Sequence, residues 1–297
     1  MEYSFYQKQD SEFTKEQCDK IQDKQNKDFQ SVWSELDDSI ALVCICGNHD
    51  VGNRPTPESI ERFRSAFGDE YLAFWSNGCY NIILNNVIFT DPSGAIEMFY
   101  EQLDWLENRL KYANDHKADQ IFVFCHHPWF LYNDDEEDED LTGMIPFPSE
   151  WSDEPATGGF PEKYFGMQRK YRDIALGLFK KYGVKASFSG HFHQNVISKS
   201  SWGMDMIITA PLSVLFESSG KPKQNEENKM GVRVVNVTKD SFTHTFVPLK
   251  EERQKSLENE KSNVTTSSFI PLEEQQFCSF IDSNNHENVG TICAVAT

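Results

Sequence analysis

The sequence lacks a long hydrophobic run and has few basic residues for its length. Its 297 residues include 28 Lys and Arg against 47 Asp and Glu, a formal net charge of −19. A membrane-spanning helix needs about 18–20 consecutive apolar residues, so no membrane segment is expected. Nucleic acid attracts basic surfaces, so this acidic balance, without a local basic patch, argues against a nucleic-acid partner.

The seven cysteines are odd in number and show no CxxC spacing. Four of them, Cys44, Cys46, Cys79 and Cys125, lie in or near apolar segments. Disulfides are rare in reducing compartments, so this pattern predicts buried free thiols. The N-terminus also lacks the apolar core of a secretory signal. A cytoplasmic protein is therefore expected.

The chain is predicted to form one main domain over residues 15–249. Residues 1–14 show no clear pattern, and residues 250–297 are a polar tail whose composition predicts mostly disorder. A long insertion, 131–161, carries seven consecutive carboxylates at 134–140. Such loops are uncommon unless they are functional or mobile. We interpret this one as a solvated mobile loop, with steering of basic substrates as the alternative.

Periodicity and turn signals predict the elements around this insertion. Thr14 is expected to cap a helix that extends to about residue 36. The residue pairs Asn77-Gly78 and Asn85-Asn86 are hairpin signals, which predict strands at 71–75, 80–84 and 87–90. Alternating strands and helices of this kind indicate an α/β fold.

Three apolar segments are predicted core strands, and each ends in polar residues. Residues 40–46 lead into Gly47-Asn48-His49-Asp50, residues 121–125 into His126-His127-Pro128, and residues 184–189 into Gly190-His191-Phe192-His193. Since α/β folds place their chemistry at the carboxyl ends of strands, we expect these side chains to gather at one rim.

The residue types at these strand ends indicate a metal or acid–base centre. In an extended segment, His191 and His193 would lie on the same side, with Gly190 giving the backbone room to turn. Neutral imidazole nitrogens and a carboxamide oxygen suit Zn, Mn or Fe better than Ca or Mg. His49 could exchange a proton near neutral pH, and Asp50 could orient it.

These segments resemble the GNH[DE], GHxP and GHxH motifs of the calcineurin-like metallophosphoesterases, in the family's order and wide spacing. The GNHD and GHxH matches are specific, and Cys125 stands where the family usually has Gly before the HxP motif. The chain is most similar to a branch of serine/threonine protein phosphatases. The resemblance implies a two-sheet β sandwich flanked by helices, with the metals at one rim.

The resemblance also implies roles for individual residues. Asn48, His126 and His191 would bind the second of two divalent metal ions, and His193 would bind the first. His49 would donate a proton to the leaving oxygen, with Asp50 orienting it. A hydroxide activated by the metals would attack the phosphate ester. The implied substrates are phosphoserine and phosphothreonine in proteins.

One departure from the family pattern concerns the first metal. The family's DxH and GDxxD motifs, expected before the GNHD motif, are absent from residues 1–46. The sheet would then lack its first two strands, and the bridging Asp would be missing. Two explanations stay open: a truncated sequence of an active phosphatase, or a genuine short form with weak or no catalysis.

The alternative functions are an inactive module that binds phosphopeptides or a partner, and a nucleotide phosphodiesterase. The sequence indicates no oligomeric state.

Overall fold

The computed structural model describes residues 14–148, 158–216, 228–249 and 290–294. Helical segments alternate with strands through most of this part of the chain. No helix within these ranges is long and apolar enough to span a bilayer. The helices are α1 (Lys15–Trp33), α2 (Asn48–Val51), α3 (Pro57–Phe67), α4 (Ile96–Asp115) and α5 (Arg169–Tyr182).

The strands form three sheets. The six-stranded sheet has the order β1-β2-β3-β6-β8-β7, the three-stranded sheet β10-β9-β11, and the small sheet β4-β5. β2, β3, β6 and β8 are parallel neighbours, and the edge strands β1 and β7 are antiparallel. The strands are β1 (Leu72–Ser76), β2 (Cys79–Ile83), β3 (Gln120–Phe124), β4 (Met144–Pro146), β5 (Gly159–Pro161), β6 (Ala186–Ser189), β7 (Val196–Lys199), β8 (Asp205–Ile208), β9 (Gly231–Val237), β10 (Phe242–Pro248) and β11 (Gly290–Ala294).

Two apolar cores lie on opposite faces of the six-stranded sheet. Within β3, Ile121 and Val123 join a core that includes side chains of α4 and α5. Phe122 and Phe124 point to the other face, where they share a core with Val235 of β9. Since successive side chains of a strand alternate between faces, one strand serves both cores. The expected α/β fold with a two-sheet sandwich and flanking helices is confirmed.

Local sequence signals correctly located several ends and turns. The Thr14 hydroxyl accepts from the Gln17 amide, which caps the start of α1 as predicted. Asn77 and Gly78 link β1 to β2 with φ values of 47° and 83°. This left-handed backbone is the conformation that an Asn-Gly hairpin turn requires.

The predicted strand at 40–46 is not a strand in the structure. Its side chains still alternate between the two cores. Val43 and Ile45 pack on the core that contains Val235, and Cys44 and Cys46 pack on the core that contains α4 and α5. No neighbouring strand among the described residues pairs with its backbone, however. A strand needs hydrogen bonds to a second strand, and the apolar pattern alone cannot supply them.

The prediction of a strand at 87–90 is also wrong. The segment Asn86–Phe89 is a short 3-10 helix, and Asn86, Val87, Ile88 and Phe89 are all buried. Asn85 and Asn86 therefore do not form a hairpin turn. An apolar run of four residues does not by itself distinguish a strand from a buried helical turn.

The insertion has more structure than expected. It contains β4, β5 and a 3-10 turn at Asp138–Asp140, so the described part is not an irregular loop. Residues 149–157 of the insertion lie outside the described residues. Within the predicted tail, Gly290–Ala294 pairs with β9, while 250–289 and 295–297 lie outside them. The domain bounds stay a prediction.

Candidate metal centre

The loop after residue 46 turns at once into the short helix α2. The Gly47 amide donates to Oδ2 of Asp50 at 2.7 Å, which closes the turn. Asn48 is fully buried at its start, whereas His49 is exposed. A Cβ at position 47 would lie 2.9 Å from Cε1 of His126. Only glycine at this position therefore leaves room for the His126 ring.

The turn that carries His126 is held by a residue that the sequence did not identify. Oδ1 of buried Asn86 accepts from the amides of His126 (3.1 Å) and His127 (3.0 Å). The Asn86 Nδ2 group donates to the His127 carbonyl at 2.8 Å. The only available signal was the Asn85-Asn86 pair, which resembled a hairpin turn. These three hydrogen bonds bind the 3-10 helix to the end of β3.

Three of the predicted ligands are brought together. Nε2 of His126 lies 2.9 Å from Oδ1 of Asn48, and its ring centroid is 5.0 Å from that of His191. His127 packs against both rings, with its ring centroid 3.8 Å from that of His191 and 5.1 Å from that of His126. The ends of β3 and β6 and the start of α2 thus supply one cluster.

The GHxH segment differs from the extended conformation that was expected. His191 and His193 have φ values of 61° and 55°, in the left-handed region that non-glycine residues rarely adopt. The strain lies at these two histidines rather than at Gly190, and such backbone strain is typical of functional sites. His193 Nδ1 bonds to the Val214 carbonyl, and its ring stacks on Phe216. His193 therefore contacts the 214–216 segment, and its role as a ligand of a first metal stays a prediction.

The imidazoles of the cluster are held in their neutral form. Burial, aided by neighbouring imidazoles, lowers the pKa of His126 and of His191 well below the usual value. Burial, together with the charge of nearby His49, lowers the pKa of His127 to about 3. A neutral imidazole has a lone pair for a metal ion, so the environment favours the ligand form.

Asp50 is held in place by the backbone. Burial raises the pKa of its carboxyl, while the Gly47 amide and nearby His49 act in the opposite direction. The Asp50 carboxylate is thus fixed by Gly47 and lies within electrostatic range of His49. Its predicted role in orienting His49, and the role of His49 as proton donor, stay predictions.

The donors present fit one divalent transition metal ion. Asn48, His126 and His191 offer an amide oxygen and two neutral imidazoles in a buried space, a set that suits Mn, Fe or Zn. Across the described part of the chain, no group of three or more His, Cys, Asp or Glu side chains is arranged to hold a metal ion. Carboxylates for a second metal are therefore not gathered within those ranges.

The buried imidazoles predict an acid-sensitive fold. Below pH about 6.5 the unfolded chain takes up protons on His126, His127 and His191, but the folded chain does not, so stability falls as pH falls. Three such groups contribute at most about 4 kcal/mol per pH unit. Burial raises the pKa of Asp50, so the folded chain binds a proton on Asp50 more readily than the unfolded chain does. This group therefore adds stability as the pH falls and offsets part of the loss from the histidines.

Urea unfolding of the chelator-treated protein between pH 7 and pH 5 measures this effect. A variant with His127→Phe removes one of the three groups and should reduce the slope by about 1.4 kcal/mol per pH unit. A stability that is constant from pH 7 to pH 5 in the parent chain would contradict the prediction.

The site motifs lie within a region that matches a known family. The family model described as calcineurin-like phosphoesterase matches residues 13–195, which is more than half of the chain. The chain is 33% identical over 240 residues to the serine/threonine-protein phosphatase CPPED1 of Danio rerio, covering 81% of this chain and 67% of that protein. The Homo sapiens protein of that name is 29% identical over 237 residues, covering 80% and 65%.

The chain thus spans about two thirds of the length of the curated relatives it matches. Among solved structures, it is similar to a dimetal phosphatase from Danio rerio, with 16% identity and a TM-score of 0.39. That similarity covers 66% of this chain and 71% of the other. The family model and the CPPED1 relatives agree with the motifs: the chain belongs to the calcineurin-like phosphoesterase family of phosphatase-type enzymes.

Proposed function

We propose that this protein hydrolyses phosphoserine and phosphothreonine in proteins with the help of a divalent metal ion. The observation that carries the proposal is the convergence of Asn48, His126 and His191 in one buried cluster, with exposed His49 beside it. The curated relatives are named serine/threonine-protein phosphatases, which supports the substrate class. The metal could be Mn, Fe or Zn, and the family's second metal ion is part of the proposal.

Each residue of the cluster has a separate task in this proposal. Asn48, His126 and His191 would hold the metal, which when bound would neutralise phosphate charge and lower the pKa of water. Exposed His49 can approach the substrate, and it donates a proton to the oxygen of the departing serine or threonine. Burial excludes bulk water from the ligands, which strengthens their electrostatic effect.

The acidic run has a smaller part in the proposal than its charge suggests. Asp134 accepts from the amide and hydroxyl of Ser201, and Glu137 and Asp138 accept from Arg169. These carboxylates are engaged by the chain's own donors. Recruitment of basic substrate segments by the run therefore remains the weaker hypothesis for this loop.

The test is hydrolysis by the purified chain with and without added Mn. We expect turnover of a phosphoserine peptide and of p-nitrophenyl phosphate, both lost when a chelator removes the metal. Faster turnover of bis(p-nitrophenyl) phosphate than of either monoester would favour the phosphodiesterase alternative, because the motifs do not separate the two ester classes.

One observation favours a second candidate, an inactive module that binds phosphorylated partners. Among the described residues, no carboxylate accompanies the three neutral ligands to offset the metal charge. Such a module would bind phosphopeptides but would not release phosphate with Mn, Fe or Zn. Binding of a phosphoserine peptide measured by calorimetry, without hydrolysis in the presence of any of these metals, would support this candidate over the enzyme.

A further inference from the structure

Tyr164 lies between two of the three ligands. It ends the 3-10 turn Glu162–Tyr164, which directly follows the insertion. Its ring stacks on Phe160 with centroids 5.0 Å apart, and it lies 5.2 Å from the ring of His191. No motif of the sequence pointed to this residue, because it is more than 20 positions from any ligand.

The Tyr164 hydroxyl determines which end of the Asn48 amide faces the cluster. The Asn48 Nδ2 group donates to Oδ1 of Asn53 at 2.9 Å and to Oη of Tyr164 at 3.0 Å. With both amide hydrogens used, Oδ1 of Asn48 is directed at His126. Only the oxygen of a carboxamide binds a metal ion, so a reversed amide would not be a ligand.

The backbone of the same residue acts on His191. Nε2 of His191 lies 3.2 Å from the carbonyl oxygen of Tyr164. A carbonyl oxygen can only accept, so this contact places a proton on Nε2 of His191 and leaves Nδ1 as the ring nitrogen that can carry the lone pair. A hydrogen bond from the second ring nitrogen is the usual way in which a ligand histidine is oriented.

Tyr164 is fixed by anchors at both ends of the insertion. Buried Glu162 accepts from the Tyr132 hydroxyl and from the Gly143 amide, the latter at 2.8 Å. Near the start of the insertion, Glu136 pairs with fully buried Arg172 at 3.1 Å. Tyr164 follows Glu162 by two residues in the same 3-10 turn, so the Glu162 contacts fix the turn that carries it.

We propose that Tyr164 is a positioning residue of the metal centre, and that the contacts of Glu162 serve to place it. Its hydroxyl orients the Asn48 amide, and its carbonyl selects the His191 tautomer. This inference rests on the proposed function, because it assumes that Asn48 and His191 bind a metal ion. Outer partners of this kind typically change metal affinity by about 10–100-fold.

The first test is the affinity of Tyr164→Phe for Mn, measured by calorimetry. We expect the dissociation constant to rise about 10-fold, since one of two acceptors for the amide is lost and the ring is kept. The melting temperature of the metal-free variant reports its fold separately. Tyr171→Phe is the matched control: this half-buried tyrosine of α5 contacts Phe99 and should leave Mn affinity unchanged.

The second test repeats Tyr164→Phe in an Asn48→Ala background. Alanine has no polar side-chain atom, so the hydroxyl has nothing to orient there, and the two effects should not multiply. An equal loss of Mn affinity in both backgrounds would show an indirect structural effect and overturn the inference. Unchanged Mn affinity in Tyr164→Phe would also overturn it while leaving the proposed function intact. If the parent chain binds none of Mn, Fe and Zn, both proposals fail.

Discussion

Replacing His49 with alanine should lower kcat for a phosphoserine peptide by about 10²–10⁴-fold, the usual contribution of a general acid. Asn48 and His49 are neighbours in α2, yet Asn48 is fully buried and His49 is exposed. The buried residue faces the other ligands, whereas the exposed one lies on the solvent side of the cluster. Mn affinity should therefore be unchanged in His49→Ala.

The leaving group provides the sharpest check on His49. A serine alkoxide is a poor leaving group and needs a proton as it departs, whereas p-nitrophenolate departs without one. The loss in His49→Ala should thus be large for the phosphopeptide and small for p-nitrophenyl phosphate. Equal losses on the two substrates would contradict a role as proton donor.

Two further histidines make the comparison specific. His191→Ala removes a proposed ligand, so it should reduce Mn affinity and with it the hydrolysis of both substrates. Exposed His116 bonds to the Tyr112 carbonyl at the end of α4 and belongs to none of the motifs. His116→Ala should leave both the affinity and the rates unchanged.

Replacing Arg172 with methionine should destabilise the fold by about 3–5 kcal/mol, because it leaves a buried charge without its partner. The guanidinium and the Glu136 carboxylate are both almost completely buried and lie 3.1 Å apart. Glu136 also accepts from the amides of Leu131 and Tyr132. One ion pair therefore joins α5 to the first turn of the insertion.

Arg169 is the matched control on the same helix. It pairs with Glu137 and Asp173, but its side chain keeps 32% of its surface exposed. Exposed pairs contribute about 0–1 kcal/mol, so Arg169→Met should change the urea midpoint only slightly. Adding Glu136→Gln to Arg172→Met should recover part of the lost stability. Equal costs for Arg169→Met and Arg172→Met would contradict the argument.

Local signals identified much of the fold because their physics is local. A cap such as Thr14 and a turn such as Asn77-Gly78 act within a few residues, so the sequence reveals them directly. Prediction failed where structure depends on distant partners. The segment 40–46 has the alternation of a strand but no neighbour to pair with among the described residues.

The same division applies to the metal centre. The sequence by itself determined the ligand types, because the GNHD, HHP and GHFH segments follow apolar segments and carry recognisable chemistry. Only the tertiary structure revealed Asn86 and Tyr164, which lie far from these motifs and act through ordinary hydrogen bonds. Side chains that coordinate a metal are limited to a few types at set spacings. Residues that orient them can come from any element that packs nearby, so only the folded chain decides which ones do.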